Sequence, residues 1–323
     1  MATTGPAGGR LSVGPPTPVG APEGFTLRST QRRTGEKLII ASLFACGALS
    51  VVITIGIAWA LIAPAIAFFQ EVSVVEFLTG TKWAPRFQPP AYGVLPLILG
   101  TLWTTGIALL VAVPFGLGAA VYLSEYAGDR VRRVLKPILE LLAGIPSVVF
   151  GFFALEFMTK VVLQDWLSLP VGTFNVLSAG IVLGVMIIPT IASLSEDALS
   201  AVPLSIRQGS FALGANKMQT TVRVVFPAAI SGIAAAVVLG ISRGLGETMI
   251  VATAAGQRPN MITSPFEGGQ TMTGFIANAA LGDSRVGSLQ YDTLFAVGLL
   301  LFIFTLIVNI ISIRMVRRFR EAY

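Results

Sequence analysis

Arg243 and Glu247 stand four residues apart in Gly-Ile-Ser-Arg-Gly-Leu-Gly-Glu-Thr-Met, positions 240–249, inside a long apolar stretch. On a helix that spacing puts two side chains on one face, where they can touch. In the middle of a bilayer each charge costs on the order of 3 kcal/mol on insertion scales. Two readings stand side by side. One is a self-neutralising structural pair. The other is a cation presented to an anion pathway and oriented by Glu247, with Ser242 and Thr248 adding hydroxyl donors. Arginine suits the second reading because its planar donors match two oxygens of a phosphate-type oxyanion at once.

Other chemistry is thinly represented. The chain has no histidine and one cysteine, Cys46, so His- or Cys-built metal sites and triads needing a histidine base are excluded, and no catalytic or metal residue is expected. No G-x-x-x-x-G-K-[ST] stretch is present to cradle nucleotide phosphates. Thr101, Thr104 and Thr105 are weaker pathway candidates, because threonines in membrane helices commonly bond the preceding turn's carbonyl. Glu140 with Lys136, and Glu156 with Lys160, read as pairs at the ends of spans.

The elements that must position Arg243 are helices in a membrane. The 323 residues are 54% hydrophobic and 12% charged, with mean hydropathy +0.79, against roughly 25% charged residues in soluble domains. Six apolar runs are long enough to cross, at about 38–68, 94–122, 138–163, 174–198, 226–255 and 291–313. The second carries Pro114 and reads as one kinked span, because splitting it would move the basic cluster 130–136 to the other side. With six spans, Lys and Arg concentrate in segments 10–37, 130–136, 207–223 and 314–320. The other side holds Lys82, Arg86, Lys160, Arg258 and Arg285. This positive-inside pattern predicts a multi-pass plasma-membrane protein with both termini cytoplasmic. It also explains the pI near 9.8 without nucleic acid. Residues 1–35 read as a disordered cytoplasmic tail and 36–323 as the six-span domain. Trp83, Tyr92 and Tyr291 read as interface anchors. Residues 271–283 are too short to span and suit a surface or re-entrant helix.

Ala228, Gly232, Ala236, Gly240, Gly244, Thr248 and Ala252 recur every four residues, a small-residue stripe that lets another helix approach closely. Before it lies an inner loop, 199–225. Pro203 suits the start of a short helix there, and Gly214 suits its left-handed end. Gly214 is followed by nine residues and then Val224, Val225, Phe226 and Pro227. That spacing resembles the EAA loop of bacterial ABC importer permeases, where such a permease meets its ATPase. Gln208, Gly209, Ser210, Ala212, Gly214, Ala215 and Pro227 are the positions that match. Gln208 stands where the pattern has an acid, and Gly209 and Ser210 where it has alanines.

Four further stretches sharpen the resemblance: Leu-Pro-Leu-Ile-Leu-Gly-Thr-Leu at 95–102, Leu-Ser-Glu-Tyr-Ala at 123–127, Leu-Ala-Gly-Ile-Pro-Ser-Val-Val-Phe-Gly at 142–151, and Ser-Arg-Gly-Leu-Gly-Glu-Thr at 242–248. Over about 38–315 the chain resembles the PstC-type permease family of the bacterial phosphate-specific ABC importer. The resemblance implies an all-α integral membrane protein of type I ABC importer permease architecture, moving inorganic phosphate and carrying no enzyme activity of its own. It implies a second permease (PstA-like), an ATPase dimer (PstB-like) that binds ATP and Mg, and an extracytoplasmic phosphate-binding protein (PstS-like). No cofactor is then expected in this chain. An ABC permease for another oxyanion, such as sulfate or molybdate, and a secondary anion transporter or channel are the alternatives.

Overall fold

The computed structural model describes residues 34–282 and 284–318. The expected tail therefore lies outside the described residues, apart from its last two positions. By internal contacts the chain divides into two units, Met1–Ile55 and Gly56–Tyr323. In the first, the described residues form the leading part of helix α1 (Thr34–Glu71), with Leu38, Phe44, Ile53 and the free Cys46 all exposed.

The second unit begins with the remainder of α1, then α2 (Val74–Thr79) and a small antiparallel ribbon of β1 (Trp83–Ala84) and β2 (Ala91–Tyr92), with Trp83 opposite Tyr92. Trp83 and Tyr92 are buried inside the protein, not exposed as anchoring rings would be. Trp83 meets Phe275 edge-on at 4.9 Å, and Tyr92 meets Phe68 at 5.5 Å. Aromatic edge-to-face packing has captured both rings, which corrects the expectation of two anchors.

Helix α3 (Leu95–Val121) starts with Pro96 in its first turn, where a missing N–H costs nothing, and runs through Pro114 without splitting. A π-helical turn, Tyr122–Tyr126, prolongs it. Next comes α4 (Asp129–Ala143), an amphipathic helix with no buried residue. Pro146 and Gly144 then interrupt the chain, since a proline disfavours helical backbone at the residue before it. The third span is accordingly not 138–163. It is α5 (Ser147–Phe153) continued by the π-wound segment Ala154–Trp166. Helix α6 (Val176–Ser200) is capped by the Asn175 side chain, which accepts from the Ser178 N–H at 2.7 Å.

Three short helices follow: α7 (Leu204–Ala212), α8 (Lys217–Thr220), and, after the π turn Thr221–Val225, α9 (Phe226–Ala228). Helix α10 (Ile230–Gly246), a π turn at Val251–Ala255, α11 (Met272–Ala280) and α12 (Leu289–Arg318) complete the unit. Among the described residues, five helices are long and apolar enough to cross a membrane. Lys217–Ala228 and Ile230–Gly246, bent by 70° between them, meet the same requirement only when taken together. Within 271–282 lies α11, which is buried at Met272, Thr273, Gly274 and Phe275 and reaches the surface at Asn278 and Ala280.

Helix α6 is the centre of this unit. Lipid is as apolar as leucine, so close packing, not water exclusion, must hold helices together here. Gly180 faces Ile107 on α3, and Gly184 faces Ala108 and Val111. A Cβ at Gly184 would sit 2.7 Å from the Ala108 carbonyl oxygen. The small-residue stripe on α10 also packs against α6, beside α3. Gly240 lies against Ile187 and Ile191, and Gly232 against Ala198. Thr248 and Ala252 fall beyond the end of α10 and do not prolong that contact.

Candidate functional site

Two regions carry the candidate residues, and α3 separates them. Its first turns meet Gln270 and Met272, and its last turn meets Arg207 and Lys217. Segments 201–229 and 256–282 therefore lie at opposite ends of a helix of about 48 Å, at 1.5 Å per residue over its 32 residues.

At the first end, Pro203 precedes α7 and Gly214 follows it at φ +84°, the left-handed conformation that ends a helix cheaply only for glycine. Asn216 then opens α8 with reciprocal bonds to Gln219: the Gln219 N–H donates to Asn216 Oδ1 at 2.8 Å, and the Asn216 N–H to Gln219 Oε1 at 3.0 Å. Ser210 and Thr220 hydroxyls, 2.9 Å apart, tie α7 to α8. Gln208, Gly209, Ala212, Gly214 and Pro227 are exposed, while Ser210 and Ala215 are half-buried. Around them Leu204, Phe211, Leu213, Met218 and Val222 also face outward, Leu213 with 91% of its surface exposed. Together they leave exposed apolar surface on α7, α8 and the π turn after them.

Arg207 anchors this loop to the bundle. Its guanidinium pairs with Glu125 in the π turn after α3, and donates to the Leu199 carbonyl at 2.6 Å at the end of α6. Glu125 and Arg207 side chains retain only 8% and 14% exposure. Nearby, Glu196 is fully buried on α6 and accepts from Arg132, from Lys136 at 2.7 Å and from the Ser200 hydroxyl at 3.2 Å. Lys136 also reaches Asp197 at 3.0 Å. Its bond to Glu196 first, and then Asp197, raise the Lys136 pKa above the ordinary lysine value, outweighing the opposing effect of partial burial. Lys136 thus pairs across helices, not with Glu140 as the local spacing suggested. Glu156 and Lys160 do pair, at 2.5 Å.

Between the two ends, α10 carries Arg243. It and Glu247 do not form the expected pair. Helix α10 stops at Gly246, after Gly244, and Glu247 takes extended backbone at φ −68°, ψ 132°. Glycines weaken a helix, and a carboxylate competes for free N–H groups. Here Glu247 Oε1 accepts from the N–H groups of Met249 at 3.0 Å and Ile250 at 3.3 Å, capping the next helical piece. Its carbonyl accepts from the Thr273 hydroxyl at 2.7 Å. With the helix interrupted, four-residue spacing no longer means a shared face. Arg243 instead donates to the Thr190 hydroxyl of α6 at 2.9 Å, and makes no ion pair among the described residues.

The four expected pathway residues are not gathered. Ser242 turns to α12 and donates to Asn309 Oδ1 at 2.9 Å, while the Thr248 hydroxyl donates to the Gly246 carbonyl at 3.3 Å. Thr101 and Thr104 bond the preceding turn at 2.9 and 2.8 Å, as their residue type suggests. Thr101 Oγ1 additionally accepts from the Met272 N–H at 3.0 Å. Thr105, beside Gly244, has a buried hydroxyl with no partner. Sequence reasoning missed Thr190, Glu196 and the Glu125–Arg207 pair. The only local sign was an acidic doublet, Glu196 and Asp197, closing an apolar run.

Residues 112–321 match the family described as "Binding-protein-dependent transport system inner membrane component". The chain is 42% identical over 248 residues to the probable ABC transporter permease protein YqgH of Bacillus subtilis, covering 75% of this chain and 79% of that one. It is 35% identical over 269 residues to the phosphate transport system permease protein PstC of Haemophilus influenzae, covering 76% and 82%. Mycobacterium tuberculosis PstC 1 is 37% identical over 277 residues, with the same coverage. Among solved structures, a chain of a bacterial alginate ABC transporter superposes with a TM-score of 0.62 at 17% identity, covering 88% of this chain and 98% of that one. A chain of the inward-facing MetNI methionine ABC transporter does so at 0.54 and 20%, covering 70% and 96%. At such identities the structural likeness speaks for the fold, that of a type I ABC importer permease.

Proposed function

Because the chain belongs to the family of binding-protein-dependent transport system inner membrane components, we propose that it is a membrane-spanning permease subunit of an ATP-driven importer of inorganic phosphate. It works beside a second permease, takes phosphate from an extracytoplasmic binding protein, and is driven by a separate ATPase dimer that holds ATP and Mg. Both termini are cytoplasmic, as the basic segments 10–37, 130–136, 207–223 and 314–320 favour. The chain itself catalyses no reaction and carries no cofactor. The named PstC relatives support phosphate as the cargo.

The observation that carries the mechanism is a guanidinium in an apolar helix whose hydrogen-bond partner is the Thr190 hydroxyl and which has no carboxylate partner among the described residues. A structural arginine in lipid would be neutralised to offset its desolvation. Arg243 instead keeps a neutral partner that a doubly hydrogen-bonding oxyanion can displace. Its planar donors then take two oxygens of phosphate.

The route from the ATPase to Arg243 runs along α6. The exposed apolar patch on α7 and α8, with Gln208, Gly209, Ser210, Ala212, Gly214 and Ala215, receives the ATPase, and Pro227 starts the span beyond. Arg207 carries displacement of α7 to Leu199 at the end of α6 and to Glu125 at the end of α3. Thr190 lies nine residues before Leu199, about 14 Å along the same helix. Movement of the docking loop therefore reaches the hydroxyl that holds Arg243. ATP binding turns the cavity between the two permeases outward, and hydrolysis resets it.

The test is uptake by proteoliposomes holding this chain with its partner permease and ATPase, with binding protein and labelled phosphate outside and ATP inside. Phosphate should accumulate with ATP present, and excess sulfate or molybdate should leave the rate unchanged. Competition by either oxyanion, or accumulation without ATP, would overturn the reading.

A further inference from the structure

At the end of the bundle away from the docking loop lies a cavity of about 830 Å³. Three pieces of chain build it. Phe152 of α5 and Leu155 of the π segment after it form one wall, Thr173 and Phe174 a second, and residues 252–260 the third. Tight backbone approaches fix its shape. Gly151 lies so close to Thr253 that a Cβ there would overlap the Thr253 hydroxyl. Gly256 turns the chain at φ +94°, with the Phe174 Cβ directly beside it. Neither position accepts a larger residue without moving a wall.

The cavity carries one sign of charge. Arg258 is the single charged residue among those lining it, and Gln257, Asn260, Thr253 and Thr173 supply neutral polar groups. The nearest acid in the same loop, Glu267, is occupied by Thr263, whose N–H and hydroxyl donate to it at 3.3 and 3.2 Å. Arg258 makes no ion pair among the described residues. Its backbone is pinned, because its carbonyl accepts from the N–H groups of Asn260 at 2.9 Å and Gln270 at 3.0 Å. Arg258 is exposed and lines a cleft whose walls include Phe152, Leu155, Phe174 and Ala252, and a lone cation beside apolar walls focuses an attractive field on small anions.

The third wall is also the continuation of the span that holds Arg243. Beyond the break at Glu247 the chain passes through Val251–Ala255 directly into the cavity lining. We infer that this cavity is the outer vestibule of the anion pathway, and that Arg258 captures an inorganic tetrahedral oxyanion there before it passes to Arg243. This inference rests on the transport reading above and adds to it a second cationic station.

The experiment uses the reconstituted complex with labelled phosphate, and compares wild type with Arg258→Gln, Arg258→Lys and Arg258→Glu. Binding-protein-stimulated ATP hydrolysis is measured in the same vesicles. Arg258→Gln should lower the initial uptake rate about tenfold, the scale of one charged hydrogen bond, and flatten its dependence on ionic strength. Arg258→Lys should retain most of the rate, Arg258→Glu should have none, and stimulated hydrolysis should persist in all three. Uptake by Arg258→Gln equal to wild type overturns the inference. So does loss of stimulated hydrolysis, which would make Arg258 a docking contact for the binding protein. Should wild type itself carry a different oxyanion, the phosphate reading fails while Arg258 is still judged with that anion.

Discussion

The cations at the two ends of this protein are treated in opposite ways. At the docking end, Arg132, Lys136 and Arg207 each meet a carboxylate, and the acids they meet, Glu196 and Glu125, are buried. In the span and at the far end, Arg243 and Arg258 have no acidic partner among the described residues. A charge that is matched holds elements together and has nothing left to offer a ligand. A charge left unmatched costs stability and remains available. On the proposed function, the first end transmits force and the second handles an anion.

The sharpest way to break this comparison is at Arg243. Arg243→Ala should cut phosphate uptake by roughly a hundredfold or more, the upper scale of a lost charged hydrogen-bonding group, while the complex still assembles and binds nucleotide. Normal uptake would return Arg243 to a structural role. Arg207→Ala should act differently, because it leaves Glu125 buried without its cation. A loss of about 3 kcal/mol in local stability is expected. The ATPase should still copurify while hydrolysis runs without uptake, and tight coupling in that variant would erase the division between the two ends. Glu196→Gln should lower thermal stability in detergent by about 2 kcal/mol, less than for a wholly buried pair because Arg132 and Lys136 are partly exposed. Its transport should scale with the amount of folded complex, and a selective loss of transport would make Glu196 part of the pathway. Thr190→Val should change uptake only about threefold, since it removes one neutral bond. The smallest effect is that of pH. Lys136 has a raised pKa, so its contribution to stability is complete below the ordinary value of 10.5 and disappears as pH climbs through the raised one. Wild type should lose more stability than Glu196→Gln in that alkaline window, and equal losses would detach Lys136 from the cluster.

Much of this was legible in the residues because it is local. Apolar runs announced most of the long apolar helices, though not that Gly144 and Pro146 make the third begin at Ser147; Gly214 announced the end of α7, and the four-residue repeat announced the face that α10 turns to α6. What was not legible is pairing over distance. Arg132 and Glu196 are 64 positions apart, and Arg207 and Glu125 are 82 apart, so no spacing rule links them. The Arg243–Glu247 expectation failed for the converse reason. The rule assumes an unbroken helix, and the glycines at 244 and 246 lie where α10 ends. Trp83 and Tyr92 were misplaced because composition says where aromatic rings are common, not which neighbours will enclose them.

The elbow at Ala229 has a mechanical meaning of its own. With 70° between its two arms, the bent pair Lys217–Ala228 and Ile230–Gly246 is shaped like a crank. The shorter arm, from Lys217 to Ala228, is about 18 Å long at helical rise. A sideways shove on that arm arrives in the membrane as a twist about the long axis, not as a slide along it. In the proposed transport cycle such a twist would carry the Arg243 guanidinium through an arc that starts at its bond to Thr190.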